Sequence, residues 1–327
     1  MQDIREENIS YTQFILVGFP DVYEYRKLLF IPFFMLFVMA VVSNCVIIYI
    51  IQTGKGFSSP MYLLICAIAF VDLGIPITFV PKMLLNFLFD WNDISLTGCL
   101  VQMFFIHFIS SFESTILMVM ALDRYVAICM PLRYNDYINS STLLKLSVAA
   151  VIRSVIFVSL IVIFVGTLSF CWTNIIKHCY CEHMAVVGLA CGDTTKNSIV
   201  GLVGIFSIIG VDLICIFCSY IKIFTVVLKS SSVSSRQKAI HTCTTHLIVI
   251  LTTFLSALVS FIAYRIKDSI SINTHNIISV LYQLLPCCFN PVIYGVRTKE
   301  IRQQIFKMVK GRNGTLFLNA DKTETIA

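Results

Sequence analysis

Charge is scarce in this chain. Only 13% of its 327 residues are Asp, Glu, Lys or Arg, while 57% are hydrophobic; an average soluble domain carries about 25% charged residues. Too little polar surface remains to coat a globule, which excludes an ordinary soluble enzyme, a disordered chain and a nucleic-acid binder. The net charge of +6 is no sign of nucleic-acid binding, because it is distributed lopsidedly along the chain. No long polar stretch separates the apolar runs, so no soluble domain is expected. An internal repeat, which would hint at a transporter made of two similar halves, is also missing. So is a cleavable signal: the first 27 residues are polar and mixed in charge, and the first apolar run is too long for a signal core.

What is present is a set of seven apolar runs, roughly Leu28–Gln52, Met61–Leu85, Leu100–Cys129, Leu144–Val165, Ile199–Leu228, His241–Ile262 and Ile277–Tyr294. A transmembrane helix needs about 20 such residues, and the runs are continuous, unlike the alternating segments of an outer-membrane barrel. The spacing predicts an all-α, seven-span bundle over residues 28–294, with an extracellular tail at 1–27 and a cytoplasmic tail at 295–327. If the N-terminus is outside, fifteen of the 24 Lys and Arg residues face the cytosol, eight face out and Arg153 lies within the fourth span. The positive-inside rule therefore sets the N-terminus outside and the C-terminus inside. The sequon at Asn8 then becomes a glycosylation candidate. Thr298–Lys310 carries Ile301, Ile305, Phe306 and Val309 among Lys and Arg, the pattern of a short amphipathic helix on the inner membrane surface.

Eight of the 13 cysteines fall in spans or near the cytosol, where they read as small buried hydrophobes. Cys99, Cys171, Cys179, Cys181 and Cys191 lie at the oxidising outer face. Four of these can make two bridges and one is left over. The run His178-Cys179-Tyr180-Cys181-Glu182-His183 also holds ligand types that suit zinc or copper, but disulfides compete for the same thiols and no metal site is assigned.

Ionisable groups within spans cost about 2.5–3.5 kcal/mol each on insertion scales, so Asp72, Glu113, Arg153 and Asp212 need reasons. Asp72, Glu113, Asn44 and Asn290 lie at similar depth. Packed together they would form a polar core able to hold a sodium ion or ordered water, or a plain hydrogen-bond network. Asp123-Arg124-Tyr125 ends the third span, where the adjacent acid and base can pair and later separate. Pro286 and Pro291 free backbone carbonyls in the seventh span. Asn290 beside them can satisfy such groups, and the result is a plausible hinge.

These features resemble rhodopsin-like G-protein-coupled receptors, and the finer motifs resemble the odorant receptor branch. Pro60-Met61-Tyr62 opens the second span. Met120 to Cys129, with Pro131-Leu132 and Tyr134 after it, is similar to that branch almost letter for letter. Ser219-Tyr220 closes the fifth span, Lys238-Ala239, Thr242-Cys243 and His246-Leu247 open the sixth, and Asn290-Pro291-Val292-Ile293-Tyr294 closes the seventh. The second extracellular loop, with Cys171, Cys181-Glu182-His183 and Leu189-Ala190-Cys191, resembles the branch for water-soluble odorants, as does Arg153. Two departures stand out: Ser43-Asn44 replaces the usual Gly-Asn, and Phe254 stands where many other rhodopsin-like receptors have a Cys-Trp-x-Pro hinge. The second is usual for odorant receptors. No lysine in the seventh span is placed for retinal.

The resemblance implies a plasma-membrane receptor, not an enzyme, with bridges Cys99–Cys181 and Cys171–Cys191 and with Cys179 spare. It implies a small odorant bound in the outer half of the bundle, and a stimulatory heterotrimeric G protein of the olfactory type at a cytosolic cleft where Asp123, Arg124, Tyr125, Tyr220, Asn290, Pro291 and Tyr294 act as the switch. His107, eight residues past Cys99, lies about 12 Å into the bundle, with Ser111 one turn deeper. His183 sits two residues from Cys181. Arg265 ends the sixth span, with Phe261 one turn inward. Together these suit an anion such as a carboxylate in an apolar cavity. Arg265 also reads as a snorkelling boundary residue, and His107 as a satisfied interior histidine. A non-olfactory chemosensory receptor of the same superfamily is the nearest alternative. A transporter or channel lacks a polar stripe across the bundle, and a membrane hydrolase lacks a demonstrated triad.

Overall fold

The computed structural model describes residues 10–229, 233–266 and 269–311. Asn8 and the chain beyond Gly311 lie outside the described residues. Among these, seven helices are long and apolar enough to cross a membrane: Arg26–Thr53, Pro60–Phe89, Leu96–Cys129, Ser140–Gly166, Thr195–Lys229, Ala239–Tyr264 and Ile272–Arg297. Each contains one of the seven runs read from the sequence. A helix satisfies its own backbone groups, which a lipid-embedded segment must do. The ends follow local chemistry. Pro60 opens the second span after Ser59, where its missing N–H costs nothing. Ser95, Asn139 and Ser271 cap the third, fourth and seventh spans, their side chains accepting from the amides of Gly98, Thr142 and Thr274.

The third span is central and packs on the second, fourth and fifth. The fifth is interrupted by one turn of π-helix at Phe206–Gly210, just before Asp212. After the seventh, Lys299–Gly311 forms the expected amphipathic helix. Its Ile301 is fully buried and belongs to the core at that end of the bundle, with Ile305 packed against it.

The stretch read as a polar tail has a fold of its own. Gln13–Leu16 (β1) pairs antiparallel with Asp93–Ser95 (β2) and parallel with Ile175–Ile176 (β3), giving the sheet order β2-β1-β3. Phe14, Leu16 and Phe19 are buried. The partners lie far away in sequence, so a four-residue strand leaves little local signal. This sheet marks one end of the bundle, here the loop-sheet end. The Asp123–Arg124 pair marks the other.

Candidate functional site

At the loop-sheet end, disulfides join Cys99 to Cys181 and Cys171 to Cys191, and Cys179 is free. Cys179 is buried against Gly18, where a β-carbon would come within 2.7 Å of its sulfur. Burial pushes that thiol well above its ordinary pKa. The loop is pinned further by Gln102, whose Oε1 accepts from the Cys181 amide at 2.9 Å. Glu182 then caps a short helix, His183–Val187, by accepting from the Ala185 amide.

This geometry presses His183 onto the fifth span at Gly201, where a β-carbon would lie 2.8 Å from the ring. Only glycine admits the imidazole so closely. The Nε2 of His183 is buried and has no hydrogen-bond partner among the described residues, and the same holds for Nδ2 of Asn197, one helical turn before Gly201. Burial, and then the nearby His107, hold the His183 pKa down to about 4. That favours the neutral, hydrogen-bonding form of the ring. His107 donates from Nδ1 to the carbonyl of Met103 at 2.9 Å.

Ser111 is buried with its hydroxyl bonded to Ser154 Oγ at 2.7 Å. It joins the third span to the fourth instead of facing the loop as an open donor. Phe261 is 37% exposed. Arg265 ends its helix, as expected, but its side chain lies outside the described residues. Asn197 was missed by sequence reasoning. Its only signal was an amide followed four residues later by glycine, a spacing that puts both on one helix face.

Deeper in the bundle the ionisable residues separate into two groups. Asp72 is fully buried and accepts from Asn290 Nδ2 at 3.2 Å. Glu113 accepts from Thr253 Oγ1 at 3.2 Å. Asn44 donates to the carbonyls of Cys287 at 2.8 Å and Ala40 at 2.9 Å. The Cys287 carbonyl is the one that Pro291 leaves without a helical donor. Asn44 of the first span therefore answers the proline, and Asn290, expected in that part, turns to Asp72. The Oδ1 atoms of both asparagines are buried without partners among the described residues.

The second group is a network that sequence analysis flagged but did not join. Arg153 of the fourth span pairs with fully buried Asp212 of the fifth at 2.8 Å and donates to Thr115. Ser114 donates to the same carboxylate at 2.7 Å. Three spans meet at one charge pair.

At the other end, Arg124 pairs with Asp123 at 2.7 Å, and the Tyr134 hydroxyl donates to the same carboxylate at 2.6 Å. Tyr220 is buried with its hydroxyl unpartnered among the described residues. Tyr294 is buried beside Met120, with its ring 6.0 Å from that of His246. Tyr125, partly buried, packs at the edge of the same core.

The sequence profile of the olfactory receptor family matches residues 33–312. The chain is 38% identical to human olfactory receptor 52P1 over 96% of this chain and 98% of that one. It is 39% identical to human olfactory receptor 52K1 over 92% and 96%, and 37% identical to human olfactory receptor 51E2 over 93% and 95%. The fold is similar to that of squid rhodopsin, with a TM-score of 0.70 at 15% identity over 88% of this chain and 87% of the other. With seven membrane-spanning helices, a bridged loop above the third span and paired Asp123–Arg124 at its far end, the chain belongs to the olfactory receptor family, multi-pass G-protein-coupled receptors that are not enzymes.

Proposed function

We propose that this receptor sits in the plasma membrane with its loop-sheet end outside, takes a small carboxylate odorant beneath the bridged loop, and activates a stimulatory heterotrimeric G protein at the Arg124 end. The observation that carries the ligand site is the pair of buried, unpartnered polar atoms, His183 Nε2 and Asn197 Nδ2. Burying such groups costs free energy unless a partner arrives. A ligand oxygen between them satisfies that demand. The carbon chain then runs into the apolar bundle toward Phe261, and Arg265, charged at any physiological pH, supplies the ionic half of the recognition.

Activation requires the odorant to bind one of two states more tightly. The unpartnered Tyr220 hydroxyl and the Asp123–Arg124 pair are the groups that rearrange when the inner end of the sixth span moves outward. A sodium ion is proposed between Asp72 and Glu113. The unpartnered Oδ1 atoms of Asn44 and Asn290 and the lack of any basic side chain paired with either acid among the described residues support it.

A cAMP-reporter screen with acids and their methyl esters tests the ligand class. Arg265→Ala is expected to weaken acids about tenfold to a hundredfold, the worth of a charge-assisted hydrogen bond, and to leave neutral ligands of equal size little changed. Equal losses for an acid and its ester would reduce Arg265 to a folding role.

A further inference from the structure

A second polar feature lies on the flank of the second and third spans. An open-mouthed hollow of about 560 Å³ is lined there by Thr78, Lys82, Trp91, Asp93, Val101 and Phe105 among others. Lys82 lies seven residues before Phe89, the last residue of the second span, so it is about 10 Å below the span's end at helical rise. Its ammonium rests over the Trp91 ring, 4.8 Å from the centroid, and has no ion-pair partner within 4.0 Å among the described residues. A lysine near the end of a span, with no anion in contact, favours an anionic partner. Asp93, the exposed first residue of β2, supplies a carboxylate to the lining. Trp91, Val101 and Phe105 are large apolar side chains at 58%, 51% and 47% exposure, directed away from the packed core.

We infer that this hollow is a binding site for one zwitterionic phospholipid of the outer leaflet, of the phosphatidylcholine type. The inference rests on the orientation proposed above and not on the odorant. Charge complementarity argues for it in three parts. The lipid phosphate meets Lys82. The quaternary ammonium meets the Asp93 carboxylate and the open face of Trp91, as cations do on indole rings. The acyl chains descend along Val101 and Phe105. An anionic headgroup such as phosphatidylglycerol offers Lys82 the same phosphate but brings no cation to the Asp93 carboxylate, and anionic lipids belong chiefly to the cytoplasmic leaflet. The hollow is built partly from Gln102, whose Nε2 donates to the Thr78 carbonyl at 3.3 Å while its Oε1 holds the Cys181 amide. The lipid thus lies one residue from the bridged loop and is placed to steady it.

Native mass spectrometry of the purified full-length receptor, delipidated and then titrated with phosphatidylcholine or phosphatidylglycerol, tests the site. Wild type is expected to retain one phosphatidylcholine in preference to phosphatidylglycerol. Lys82→Gln should weaken that retention about tenfold, the low end for a charge-assisted hydrogen bond. If Lys82→Gln does not fold, Asp93→Asn carries the test alone: Asp93 is exposed, and its neutralisation should move the preference toward phosphatidylglycerol. Soluble phosphocholine at equal concentration should not displace the lipid, because it lacks the chains. Unchanged retention in Lys82→Gln, or unchanged headgroup preference in Asp93→Asn, overturns the inference. Displacement by phosphocholine would show a headgroup-only site and overturn the lipid assignment. Staining of an N-terminal epitope on intact cells reads the orientation separately, so a failure there is distinguishable from a failure of the lipid site.

Discussion

Two groups of ionisable residues lie deep among the spans, and they are built on opposite plans. Around Asp212 the acid has a cation: Arg153 at 2.8 Å, with Ser114 adding a hydroxyl, so that three spans are joined at a neutralised point. Around Asp72 and Glu113, among the described residues, two acids have only an amide and a hydroxyl as donors, and two asparagine oxygens nearby are left unpartnered. A charge paired in a low-dielectric interior holds its neighbours in one arrangement, because separating the pair exposes both ions to the desolvation penalty. An acid without a counter-charge keeps an unspent demand that a mobile cation, a proton or a rearrangement can meet. The first group therefore rivets the third, fourth and fifth spans. The second leaves the first, second, third, sixth and seventh spans able to respond.

The largest expected effect comes from breaking the rivet. Arg153→Ala strands the Asp212 carboxylate, and removal of one partner from a buried pair costs about 3–5 kcal/mol, enough to unfold a marginal receptor. Surface labelling should fall to background, and Arg153→Met combined with Asp212→Leu should restore much of it. Normal surface levels for Arg153→Ala would put both groups in one class and end the comparison. Next in size is Arg124→Ala, which acts on a charge pair at the end of a span instead of the middle. Surface expression should persist, since Tyr134 still holds Asp123, while the agonist response in a cAMP assay is lost. Full signalling by a well-expressed variant would remove Arg124 from the switch.

A smaller effect is expected from Asp72→Asn and Glu113→Gln. Neither breaks an ion pair among the described residues, so both variants should fold, and basal activity or sodium sensitivity should change more than agonist potency. Titrations of sodium and agonist that coincide with wild type for both variants would show that the two acids share no ion. The smallest effect belongs to Ser111→Ala, which removes the bond to Ser154. A loss of about 0.5–1.5 kcal/mol should appear as a slight drop in thermal stability with potency unchanged. A potency loss without a stability change would return Ser111 to the ligand site.

Much of the architecture was legible because it is local. Seven runs of apolar residues and the amphipathic pattern of Thr298–Lys310 each depend on neighbours a few positions apart. The same holds for Asp123-Arg124, adjacent in the chain and paired in space. The loop-sheet was not legible, because Gln13–Leu16 pairs with strands about 80 and 160 residues further on and four residues carry too little periodicity to announce a strand. The partner of Ser111 was not legible for a related reason. Its depth follows from helical rise, but the direction of its hydroxyl depends on Ser154, 43 residues away.

What the sequence determined by itself is the environment and the inventory: a chain too poor in charge for water, seven spans, four mid-span charges that demanded partners, and an odd number of cysteines at one face. Tertiary structure decided the partnerships. It gave Asp212 to Arg153, turned Asn44 to the carbonyl vacated by Pro291, left Cys179 free, and pressed His183 onto Gly201 near Asn197, whose Nδ2 has no partner among the described residues. Composition and period are properties of one segment, readable from its own residues, whereas a partner is a property of two segments. Only the packing of helices brings those two segments within the 3 Å that a hydrogen bond requires.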